Sequence, residues 1–270
     1  MIKESANSLS FLDRPEINSL VFYPRPDPGV PTPAGAEDYL FPVGSGVGIG
    51  ARFYLSDPGG PHLLFFHGNG EIASDYDEAG PLYRELGLTL LAMDYRGYGK
   101  SQGSPSVATL LTDGLNLFDQ TYEWIQEKGR PGPLLIMGRS LGSAPAIDIA
   151  SKRTEKIAGL IIESGFAYSL PLLALMGIPV EEMGIQEKDG FQNVPKIAKV
   201  TKPTFILHAQ FDELIPLAQA DVLLKNSGAR RKEMVVVPGA GHNDIIFRCG
   251  RAYFETIARF ANSLKKRGKD

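Results

Sequence analysis

Beyond Pro61 short, unbroken apolar runs alternate with amphipathic stretches, and this alternation constrains the fold more than any other feature of the 270-residue chain. The runs are HLLFFH (62–67), LTLLAMD (88–94), PLLIMG (133–138), IAGLIIE (157–163), TFILHA (204–209) and KEMVVVP (232–238). Strands of this kind are covered on both faces, as in a mostly parallel central sheet flanked by helices. The intervening segments predict helices near 75–86, 106–128, 141–153, 215–227 and 244–266. Length and pattern together predict a single α/β domain over residues 1–270.

Two stretches depart from the alternation. From Arg25 to Gly35 the sequence RPDPGVPTPAG fixes φ repeatedly and removes amide donors, so the N-terminal part, about 1–36, reads as an arm that is extended where it meets the domain. AEDYLFPV and GIGARFYLS follow, flanking a turn at Gly44 to Gly48, and predict a hairpin. That GSGVG turn has no phosphate-loop lysine and opens no helix, which argues against a nucleotide cradle. The second departure is an insertion over residues 166–199, containing SLPLLALMGIPVEEMG, which predicts a small helical cap over a pocket. Its apolar run, Leu170 to Val180, is too short to span a bilayer.

A formal net charge of -3 gives no long-range attraction for phosphate backbones, so no nucleic-acid partner is expected. The basic run Arg230, Arg231, Lys232 reads as a solvated turn before a strand. Cys249 is the only cysteine, leaving no intrachain disulfide and no thiolate zinc site. The N-terminal segment shows neither a leader pattern nor a membrane span, so no integral membrane segment and a cytoplasmic location are expected.

The chemistry centres on Gly138-Arg139-Ser140-Leu141-Gly142, a G-x-S-x-G between the apolar run PLLIMG and a helical segment. A sharp strand-to-helix turn brings two backbones too close for side chains, hence a glycine two residues either side of the serine. Ser140 then sits at a helix N-terminus, where backbone amides favour the negative charge that develops in acyl transfer. A serine hydroxyl needs a base. Around such an elbow the chain order is nucleophile, acid, histidine, which excludes His62 and His67 and leaves His208 and His242. His208 lies within a strand, whereas His242 follows the last strand in the glycine-bearing loop VVVPGAGHND, at the sheet edge where catalytic groups converge. Asp212, just after the preceding strand, is the carboxylate placed to orient His242; Glu213 beside it and Glu163 at the end of IAGLIIE are the other candidates. For a tetrahedral oxyanion the amide donors are Leu141 and, in the turn His67-Gly68-Asn69-Gly70, Asn69 with Gly70 behind it.

These motifs resemble the α/β-hydrolase superfamily, from about Val21 to the C-terminus. The branch to which the chain is most similar carries an HGN turn followed by a D-Y-R-G-Y-G-x-S-x-G loop, present here as His67 to Asn69 and as Asp94 to Gly103. Gly70 departs from the alanine that related sequences often have. The resemblance implies the α/β-hydrolase fold and an activity among esterases, thioesterases, protein deacylases and lipid hydrolases. The Asp94 to Gly103 loop reads as structural, with Arg96 pairing Asp94 or a neighbouring carboxylate.

The expected function is a serine hydrolase that cleaves a carboxylic ester or thioester of a small-molecule acyl substrate through an acyl-enzyme on Ser140, without metal or organic cofactor. Leu170, Leu172, Leu173, Leu175 and Met176 suggest an apolar acyl pocket, with Leu170, Leu173 and Met176 chosen as its lining. A serine peptidase of the aminopeptidase kind is the alternative within enzymes, and a catalytically silent binding protein of the same fold is the alternative outside them.

Overall fold

In the computed structural model, which describes residues 12–265, eight strands form one sheet. In chain order they are β1 (Ala36–Val43), β2 (Val47–Tyr54), β3 (His62–Phe66), β4 (Thr89–Met93), β5 (Leu134–Arg139), β6 (Gly159–Glu163), β7 (Thr204–Ala209) and β8 (Lys232–Val237). Across the sheet the order is β1-β2-β4-β3-β5-β6-β7-β8. The hairpin β1–β2 and the β2–β4 pair are antiparallel, and every pairing from β4 to β8 is parallel.

The two-residue period of a strand divides each central run between two cores. Leu64 and Phe66 of β3, Leu134 and Ile136 of β5, and Leu160 and Ile162 of β6 join one cluster; Leu63, Phe65, Leu135, Met137 and Ile161 join the other. The first face is covered by α1 (Pro15–Val21), α3 (Val107–Glu127), α4 (Ser143–Lys152) and α7 (Leu217–Asn226), the second by α2 (Ala79–Glu85) and α9 (Arg251–Asn262). Helix α3 starts where the sequence permits, with the Ser106 hydroxyl accepting the Thr109 amide in a capping arrangement.

Two segments differ from expectation in local form. The arm is not extended throughout: α1 buries Ile17 and Val21, one helical turn apart, behind Pro15 at its start. The helix expected over 244–266 is two helices, α8 (Ile245–Cys249) and α9, divided at Gly250, whose φ of 51° interrupts the ladder. Residues 166–199 hold short helices as expected, α5 (Ser169–Leu175) and α6 (Asn193–Ile197), with a 3-10 turn at Glu187–Asp189 in the chain between them. Here α6 packs on α4, where Lys196 pairs with the buried Asp148 at 2.7 Å, while α5 lies towards the C-terminal ends of the parallel strands.

Candidate active site

Ser140 follows β5 directly and holds a left-handed backbone, φ 50°, which places its side chain at the tip of the turn. The flanking glycines are sterically required. A Cβ on Gly142 would lie 2.1 Å from the carbonyl oxygen of Phe66, at the end of β3, and one on Gly138 would lie 2.2 Å from the Gly142 carbonyl oxygen. Neither neighbour is a side chain that could rotate away. Elbow and His67–Gly70 turn are therefore packed backbone against backbone.

The loop after β8 brings His242 to this point. Its Nε2 lies 2.9 Å from Ser140 Oγ, and its Nδ1 lies 2.9 and 2.8 Å from the two carboxylate oxygens of Asp212, in the loop after β7. An ionised carboxylate only accepts, so Nδ1 carries the proton and Nε2 is left to accept from the serine hydroxyl. Burial raises the Asp212 carboxyl, but the hydrogen bond and charge of His242 and the amide of Ile215 outweigh it and hold Asp212 below the usual carboxylate range. The amides of Leu214 (3.1 Å) and Ile215 (2.7 Å) donate to the same Oδ1.

The other candidate groups take different places. Glu213 accepts the backbone amide of His242 at 3.1 Å. Glu163 is buried and accepts the Tyr253 hydroxyl at 2.5 Å. His208 is buried in β7 and its Nε2–H donates to the Ile215 carbonyl at 2.7 Å, so it braces the loop that carries Asp212. Arg96 pairs with Asp113, not Asp94; Asp94 accepts the Ala73 amide.

Asn69 is fastened by its side chain. Its Oδ1 accepts from the Tyr98 hydroxyl (2.7 Å) and the Tyr23 amide (3.1 Å), and its Nδ2 donates to the Val21 carbonyl (2.7 Å). Tyr98 belongs to the Asp94 to Gly103 loop, and Val21 and Tyr23 to the arm. No pattern in the sequence signals that these two segments meet at the turn.

Ser140, His242 and Asn69 line a cleft of about 290 Å³ walled by Leu172, Leu175, Met176, Leu214 and Tyr23. Of the chosen lining residues only Met176 is at this cleft. Leu173 is 1% exposed in the core and Leu170 packs partly buried against that core. The reason is helical phase: Leu172, Leu175 and Met176 stand at i, i+3 and i+4 on one side of α5, and Leu173 faces away.

A family model described as Hydrolase_4, Serine aminopeptidase, S33, matches residues 61–177. Alpha/beta hydrolase domain-containing protein 17B of Xenopus tropicalis is 30% identical over 217 residues, covering 77% of this chain and 70% of that protein. The chain belongs to the α/β-hydrolase family. Another relative, an uncharacterized protein of Mycobacterium tuberculosis, is 31% identical over 250 residues, 89% of this chain and 85% of the relative. The fold is that of an esterase of Pyrococcus furiosus, at a TM-score of 0.71 and 17% identity over 89% of this chain and 98% of that one. Among the described residues no helix is long and apolar enough to cross a membrane.

Proposed function

We propose that this α/β-hydrolase is a serine hydrolase that cleaves a carboxylic ester or thioester of a small or medium-length acyl group. The observation that carries the reading is the unbroken chain of contacts from Ser140 Oγ through His242 to Asp212, 2.9 Å at its first link and 2.8 Å at its second. His242 takes the hydroxyl proton as Ser140 attacks the acyl carbon, and Asp212 stabilises the imidazolium that forms. The tetrahedral oxyanion is received by the amides of Leu141 and Asn69. His242 then returns the proton to the departing alcohol or thiol, and water repeats the sequence on the acyl-enzyme.

Support for an acyl substrate comes from the apolar wall of α5 beside Ser140. At about 290 Å³ the cleft lies at the small end of ligand pockets, which favours short chains. A peptidase reading is favoured by one observation, the aminopeptidase description of the matching family model. The experiment is labelling by a fluorophosphonate probe alongside a panel of p-nitrophenyl esters of graded length and amino-acid arylamides. Labelling and ester turnover should both be lost in Ser140→Ala, with kcat/KM falling at least about 10⁴-fold. Turnover of arylamides alone would transfer the proposal to peptide bonds, and no labelling of a folded protein would end it.

A further inference from the structure

Arg139 occupies the variable position before the nucleophile, and the steps above give it no part. It ends an otherwise apolar strand, yet its side chain is only 9% exposed. Its guanidinium reaches three segments at once. One Nη forms an ion pair with Glu71, which follows the His67–Gly70 turn. The other donates to the carbonyl oxygen of His242 and to Oδ1 of Asn243, each at 3.0 Å, and Nε faces Glu163 at 3.3 Å. Glu71 passes the contact on, since its second oxygen accepts the Gly68 amide at 2.7 Å and the Tyr76 hydroxyl at 2.8 Å. The turn leaves just enough room: a Cβ on Gly68 would lie 2.5 Å from the Arg139 guanidinium.

We propose that Arg139 is a positioning residue for hydrolysis at Ser140, setting the spacing between the His67–Gly70 turn, through Glu71, and the His242 loop, through the His242 carbonyl. The inference rests on the roles assigned above to Ser140, His242 and Asn69. Three considerations carry it. A buried ion pair contributes little net stability compared with apolar packing of similar volume, so stability alone does not explain a charge here. A guanidinium offers donors in fixed directions from one plane, which a lysine cannot, and the partners here lie on separate loops. Both charges persist: burial opposes the Arg139 cation, but the charges of Glu71 and Glu163 outweigh it, and Arg139 likewise keeps Glu71 below the usual carboxylate range despite its burial. A displacement of about 1 Å in such a site costs on the order of 100-fold in rate, and loss of one oxyanion donor costs about 10²- to 10³-fold.

A second cavity, about 520 Å³, meets the Ser140 cleft at Arg139 and Asn243 and is lined also by Glu71, Glu163, Leu82 and Phe254. It gives a small cation access to the place Arg139 would vacate, which makes chemical rescue the discriminating test. Steady-state hydrolysis of a p-nitrophenyl ester turned over by the wild type is compared in Glu71→Gln, Arg139→Lys and Arg139→Ala. Expected are a kcat loss of about 10-fold in Glu71→Gln and about 30- to 300-fold in the Arg139 variants, with KM within about twofold. Addition of about 10 mM guanidinium chloride should restore Arg139→Ala several-fold, where sodium chloride at equal ionic strength does not. Should Arg139→Ala fail to fold, Glu71→Gln, which removes a charge and almost no volume, decides alone. Folded Glu71→Gln and Arg139→Lys enzymes with kcat within twofold of the wild type would overturn the inference and leave the hydrolase reading standing; a wild type inert to every ester and to the fluorophosphonate would overturn both.

Discussion

Ser140 is held at a φ of 50°, a conformation that costs a residue with a Cβ roughly 1–2 kcal/mol, and only the surrounding backbone packing keeps it there. The cost is local and separable from chemistry. Ser140→Ala and Ser140→Gly both lose the hydroxyl that bonds His242, so their difference reports the backbone alone. The glycine variant is expected to be the more stable by about 1 kcal/mol, after its greater unfolded-state entropy is subtracted. Urea denaturation of the two variants measures this directly, and an alanine variant more stable than the glycine variant by about 0.5–1 kcal/mol would show the turn to be unstrained. Gly142 has no such freedom, because its neighbour is the Phe66 carbonyl oxygen, 2.1 Å from where a Cβ would sit. These constraints are legible in the pentapeptide, since glycine spacing states where backbones must meet. Asp212 and His242 are legible for a related reason, each standing in the first loop residues after an apolar run, and the structure brings both within 2.9 Å contacts of the next group in line. The partners of Arg139 are not legible: Glu71 on one side and the adjacent His242 and Asn243 on the other lie far from it in the chain, and only the sheet order makes them neighbours.

At the scale of elements, α5 shows why a list of leucines is weaker than a helical phase. Five apolar residues crowd SLPLLALM, and without the helix start there is no way to tell the cleft-facing set from the core-facing one. Once α5 begins at Ser169, Leu172, Leu175 and Met176 fall on the cleft and Leu173 falls on the core. A pair of substitutions separates the two faces. Met176→Trp should shorten the longest p-nitrophenyl ester that is turned over while leaving thermal stability nearly unchanged. Leu173→Ala should cost about 2–5 kcal/mol of stability with no change in chain-length preference. If the two effects were exchanged, the cleft would not be the acyl site. The strands are legible in the sequence because their apolar runs are continuous and bounded. The helix α1 is not, since seven residues beside a proline-rich run give too short a period to stand out, although Ile17 and Val21 fasten it to the core. The break between α8 and α9 was hidden for a similar reason, because one glycine inside an amphipathic stretch does not by itself mark a helix end.

At the scale of the whole molecule, the parallel strands separate the proposed catalytic residues from a group that makes the fold sensitive to acid. Ser140, Asp212 and His242 all stand at the C-terminal ends of β5, β7 and β8, whereas His62 opens β3 at the opposite end and is fully buried. Burial first, and the charge of Arg130 second, lower its pKa from 6.5 to about 4. A histidine depressed in the folded state is neutral there while the unfolded chain binds a proton near 6.5. Its contribution is therefore fully present above that value and is lost as pH falls towards about 4, below which both states are protonated. Over that window wild-type stability should fall by about 1.4 kcal/mol per pH unit from this residue, about 3 kcal/mol in all. His62→Gln removes the titration without touching the sheet edge that carries Ser140, so its unfolding free energy, measured in urea between pH 7.5 and 4, should show a shallower acid limb by that amount while the proposed ester turnover is retained at neutral pH. Parallel stability curves for the two proteins would mean that His62 is protonated inside the fold, and that Arg130 does not oppose it.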